Sequence, residues 1–144
     1  MTSTDIAAPR NRWLLAVGYG LLAEVATIIT IIAVVMAHKY IFARGLSEPE
    51  YAAFGQRAGG WVGVWGGAIY TYIFARRLMP RLSSRFSEHG IVVALGATAL
   101  SIAGSIAGHQ AVPYAYIFAS LLKIVAGARA GFVYNRSLAL NRMV

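Results

Sequence analysis

Residues 14–36 read LLAVGYGLLAEVATIITIIAVVM, 23 positions that hold a single charge, Glu24. At ~1.5 Å per residue, a helix of that length covers the ~30 Å of hydrocarbon in a bilayer. Arg10 and Arg12 precede the stretch and Val35-Met36-Ala37 follows it, an arrangement that imitates a secretory signal. Signal h-regions run only ~7–15 residues, however, so the expectation is an uncleaved first membrane span.

Three further apolar blocks follow, at 58–75, 90–108 and 111–133, each bounded by charge, Pro or His. Together the four use most of a 144-residue chain that is 58% hydrophobic and 12% charged, with a mean hydropathy of +0.62. That is about half the ~25% charged fraction of a soluble domain, and it leaves no material for one. The expected fold is therefore all-α: one polytopic domain over 1–144, an integral membrane bundle of four transmembrane helices.

Basic residues set the expected orientation. With the N-terminus inside, Arg10, Arg12, Arg76, Arg77, Arg81, Arg85, Arg136 and Arg142 lie on the inner side, against Lys39, Arg44 and Arg57 outside. The positive-inside rule then predicts both termini in the cytoplasm, in a membrane of the bacterial inner type. Trp13, Tyr40, Trp61, Tyr114 and Tyr134 fall near span ends, at headgroup depth. The net charge of +8 is thus a topology signal, and nucleic acid is not an expected partner. The motif Tyr-Ile-Phe-Ala, at 40–43, 72–75 and 116–119, sits at ends of differing sense and is read as chance.

Two connecting segments carry local signals. Ser47-Glu48-Pro49-Glu50 has the form of a capping box with Pro in the first turn, predicting a short helix that runs into the second span. Arg77, Arg81 and Arg85 recur every four residues beside Leu78, Leu82 and Phe86, a basic amphipathic segment expected to meet anionic lipid headgroups.

Helices in lipid associate by close approach of small residues. Gly59, Gly63 and Gly67 form a double GxxxG with Trp61 and Trp65 on the other side. Ala94, Ala97, Ser101, Gly104, Ser105 and Gly108 share one face of the third span. In the first span Ala16, Gly20 and Glu24 follow at spacing four, and in the fourth Ala115, Ala119, Lys123, Gly127 and Gly131 do so. Glu24 and Lys123 therefore lie on packing faces, each within about a residue of its span's centre. A lone charge at that depth costs at least ~2.5–3.5 kcal/mol, which predicts that the two pair. The glycine faces themselves predict a homo-oligomer or a place in a larger membrane complex.

Leu21-Leu22-Ala23-Glu24-Val25 resembles the first helix of the small multidrug resistance transporters, four-helix proteins whose membrane-embedded glutamate is shared between protons and cationic drugs. The resemblance covers about one helix in four. It implies proton-coupled transport centred on Glu24, whereas Lys123 would oppose a cationic substrate and the family's third-span pattern is missing.

No Ser-His-Asp constellation, P-loop, dinucleotide fingerprint or HExxH occurs, so a non-catalytic protein is expected. The absence of cysteine excludes disulfides and thiolate metal sites. No cofactor is expected; the one arrangement worth weighing is haem or a metal between His38 and His109, at the outer ends of the first and third spans. His89 reads as a span boundary, and Arg129 as an anchor near the inner interface.

Overall fold

The computed structural model describes residues 12–107 and 114–141. All regular structure among them is helical. Helix α1 spans Trp13–Ala37 and continues as a wide π turn, His38–Phe42. Helix α2, Glu48–Trp61, passes through a second π turn, Val62–Gly66, into α3, Gly67–Leu78, which closes in a 3-10 turn at Met79–Arg81. Helices α4, Phe86–Ala107, and α5, Tyr114–Asn141, complete the chain.

Among the described residues three helices are long and apolar enough to cross a membrane: Trp13–Phe42, Phe86–Ala107 and Tyr114–Asn141. The block expected at 58–75 is not among them; it lies in a rod in which α2 and α3 are joined through the wide turn Val62–Gly66, and its glycines, tryptophans and tyrosines make it less apolar than the other three.

The helices pack in a ring. α4 lies between α1 and α5, and α3 lies between the same two on the opposite side, so α1 faces α5 across the centre. Chain direction alternates: the start of α1, the end of α3, the start of α4 and the end of α5 share one end, where Ala16, Ala75, Leu78, Met79, Val93 and Ala130 form the core. Large apolar side chains such as Ile28, Ile29, Ile32, Ile106 and Leu121 point outward while small residues point in. That inversion of the soluble pattern suits a lipid surround, in which helices pack by small residues.

Backbone-to-backbone approach requires glycine at particular points. A methyl group on Gly20 would strike the Val93 carbonyl of α4, one on Gly90 the Gly127 carbonyl of α5, and one on Gly131 the backbone of Phe86. Gly96 meets the backbone of Val17 in the same way.

Several sequence expectations are corrected here. Gly59 and Gly63 have nothing within 4 Å where a side chain would stand, and Gly67 alone of the double GxxxG is buried against a neighbour. At about 100° per residue Ala58 and Gly67 would project to opposite sides of an unbroken α-helix, but the wide turn between them alters that phase and both are buried. Gly104 is likewise open, whereas Ala94, Ala97 and Ser105 are buried; Gly108 lies outside the described residues.

The basic stretch is not a continuous helix. Pro80 lacks the N–H that would extend α3, the helix ends by Arg81, and Arg85 takes a left-handed φ of 56° before α4 begins. Arg77, Arg81 and Arg85 are all exposed but sit on separate elements. Arg81 stacks over Tyr19, and Arg85 pairs with Glu88 at 3.6 Å. His89, rather than marking a hydrated boundary, is 1% exposed and stacks on Trp13 with ring centroids 4.0 Å apart.

The connection between α1 and α2 is ordered by polar contacts. Both the N–H and the hydroxyl of Ser47 donate to Glu50 Oε2, at 2.8 and 2.7 Å, so the carboxylate caps the start of α2. These hydrogen bonds hold the Glu50 carboxyl below its usual range. Lys39 pairs with Glu48 at 3.0 Å, and Tyr51 donates to the Ala43 carbonyl at 2.8 Å.

Candidate functional site: a charge centre shared by four helical rods

Each of the four rods brings one element to the centre. Glu24 enters from α1 on the inward face that also carries Ala16, Gly20, Ala23 and Thr27. Lys123 enters from the diagonally opposite α5, on the face of Gly127, Ala130 and Gly131. Lysine's four-carbon stem is long enough to cross the gap, and Lys123 Nζ reaches Glu24 Oε2 at 2.6 Å.

Ser101 of α4 completes the contact. Its hydroxyl donates to Glu24 Oε1 at 2.5 Å and accepts from Lys123 Nζ at 3.0 Å. Both carboxylate oxygens thus have a donor, and the hydroxyl links the two charges. From the fourth side α3 contributes an absence of bulk: a methyl at Gly67 would stand 2.6 Å from Lys123 Cε. The stem runs close past position 67, where there is no side chain to displace it.

Burial raises what is at stake. Glu24 is 7% and Lys123 4% exposed, so each charge has given up most of its water. Such a pair is costly to desolvate and more costly to break, because removing one partner strands the other. Saturation by Ser101 satisfies a lone pair that would otherwise go unmet. Sequence reasoning placed Ser101 on a packing face and missed its part in this centre; the signal available was its hydroxyl, polar at the depth of two charges.

Neighbouring hydroxyls are mostly spent locally. Thr27 donates to the Ala23 carbonyl at 2.9 Å, Thr71 to the Gly67 carbonyl at 2.7 Å, and Ser105 to the Ser101 carbonyl at 3.2 Å. Thr30 and Tyr70 join α1 to α3 at 2.8 Å. Among the described residues, buried Thr98 Oγ1, Arg76 Nη1 and His89 Nε2 have no hydrogen-bond partner. His89 Nδ1 lies 2.9 Å from the Arg85 carbonyl, which can only accept, so Nδ1 is the donor in that contact.

His38 stacks on Phe54 with centroids 3.6 Å apart, and His109 lies outside the described residues, as do Arg10 and Arg142. Among the described residues no group of three His, Cys, Asp or Glu is placed to hold a metal ion.

No family model, curated protein or solved structure matches the chain. The charge centre is interpreted from its own geometry.

Proposed function

We propose that this chain is a four-span integral membrane protein of the bacterial inner membrane, with both termini in the cytoplasm, serving as a non-catalytic scaffold or accessory subunit. The observation that carries the reading is the contrast between its glycines. Gly20, Gly67, Gly90, Gly96, Gly127 and Gly131 are used up in internal packing, whereas Gly59, Gly60 and Gly63 on α2 and the following turn are open. A helix face with no side chains to hold a neighbour away is what a partner helix in lipid approaches most closely.

Orientation is supported by the clustering of Arg76, Arg77, Arg81, Arg85 and Arg136 toward the end shared by α3, α4 and α5. The rod Glu48–Arg81 runs alongside the three apolar helices, which supports a fourth crossing. The Glu24–Lys123–Ser101 centre then acts as a lock that fixes the register of the rods. Both oxygens of the carboxylate are occupied and both charges are buried, an arrangement suited to holding helices together.

The absence of native cysteine makes the test clean. Single Gly59→Cys and Gly63→Cys variants, oxidised mildly in native membranes, should form a disulfide-linked homodimer or a link to a second polypeptide. Neither product, combined with proton-coupled flux that disappears in Glu24→Gln, would support the transporter reading instead.

A further inference from the structure

We propose that the lower half of α5 carries a discrete site for the phosphodiester of an anionic phospholipid, formed by Arg129 and Arg136. The site rests on the membrane placement argued above. Arg129 and Arg136 are seven residues apart, nearly two full turns, so both lie on one stripe of the helix, and both are exposed. Phe132 and Leu140 lie on the same stripe, 60% and 52% exposed. With Val133 and Ser137 these residues line a groove of about 520 Å³ on the outside of the bundle.

Depth makes the stripe selective. If Lys123 lies at the bilayer centre, Arg129 is ~9 Å below it and still within the ~15 Å half-thickness of hydrocarbon. Arg136 lies ~10 Å further on, beyond that boundary. Arg129 must therefore extend downward along the helix to reach polar surroundings, toward the level where Arg136 stands. At those depths the two guanidinium groups would approach the plane of lipid phosphates from either side, with Phe132 and Leu140 available to the acyl chains.

The chain has no described anion of its own for these two cations. Glu24 is held by Lys123, Glu48 by Lys39 and Glu88 by Arg85, while Glu50 caps α2 through Ser47. Among the described residues neither Arg129 nor Arg136 forms an ion pair. The fork of a guanidinium fits a phosphate oxygen pair, and two adjacent forks favour a headgroup of net negative charge over a zwitterionic one. Arg77, Arg81 and Arg85 differ: they are spread over a turn, and two of them already have partners in Tyr19 and Glu88.

The test is native mass spectrometry of the full chain released from vesicles of phosphatidylcholine and phosphatidylglycerol. The wild type should retain phosphatidylglycerol in preference to phosphatidylcholine. The Arg129→Gln/Arg136→Gln variant should lose that retention at least about tenfold, and Arg44→Gln/Arg57→Gln should keep it. Added inorganic phosphate at millimolar concentration should not displace the lipid; displacement would mean that the groove binds free phosphate and would overturn the proposal. Equal retention by the Arg129/Arg136 variant would also overturn it, as would release of an acidic protein partner in place of lipid. Extraction of the wild type from membranes by alkaline carbonate would instead show that the membrane reading itself is wrong.

Discussion

The stem of Lys123 passes over Gly67 so closely that a methyl group at position 67 would lie 2.6 Å from Cε. This one approach ties α5 to α3 and decides where the ammonium can go. With the stem held there, Nζ is delivered to Glu24 on the far side of the bundle.

Gly67→Ala is accordingly expected to displace the lysine and to destabilise the protein by ~1–3 kcal/mol, the usual cost of overpacking a filled site. Gly63→Ala, with open space around it, should change the stability of the isolated chain by no more than ~0.5 kcal/mol. Thermal unfolding in detergent separates the two, and equal losses would mean that Lys123 does not run across position 67.

Helix pairing through glycine gives a second expectation. Gly127→Ala places a methyl against the Gly90 carbonyl, where backbone cannot yield as a side chain can. The α4–α5 pair should separate, with a loss of ~2 kcal/mol or more. Gly104→Ala, at an open position one helix face away, serves as the control and should unfold with the wild type.

The capping carboxylate predicts a pH dependence. Glu50 is depressed below its usual range by the two hydrogen bonds from Ser47, so its contribution to α2 is fully present above the ordinary carboxylate range and is lost as pH falls through the lower, folded value. Amide exchange in the first turn of α2 should speed up on acidification in the wild type. In Glu50→Gln that acid-induced step should be absent. A Glu50 that titrates as a free glutamate would contradict the cap.

Parts of this arrangement stand out in the sequence and parts do not, for physical reasons. Glu24 and Lys123 are conspicuous because charge is costly in apolar surroundings, and spacing four aligns each with small residues that seek contact. Spacing says nothing about which helix fills a given face, so the pairing of Gly90 with Gly127 and of Gly20 and Gly96 with the facing backbone had no local signal. The π turn at Val62–Gly66 is equally silent in its residues, yet it changes the phase of the helix and leaves Gly59 and Gly63 uncovered. The roles of Ser101 and His89 are not legible locally, because a hydroxyl or an imidazole reads the same whether it faces water, lipid or a buried partner.

Insertion topology offers a separate check on the proposed placement. Reporters fused after Val144 and within 81–88 should both register the cytoplasm, given the basic residues on that side. An external signal at either point would remove the common depth of Glu24 and Lys123.

The central claim, that a buried ion pair across the bundle locks its helices, is tested most directly by a double-mutant cycle on unfolding free energy in detergent or bilayer. Glu24→Gln and Lys123→Met should each cost roughly 1–3 kcal/mol, since each strands a buried charge. The double variant should lose less than the sum by ~0.6–2 kcal/mol, the range found for polar contacts between membrane helices. Losses that simply add would show that the two charges do not interact, and the lock would have to be abandoned.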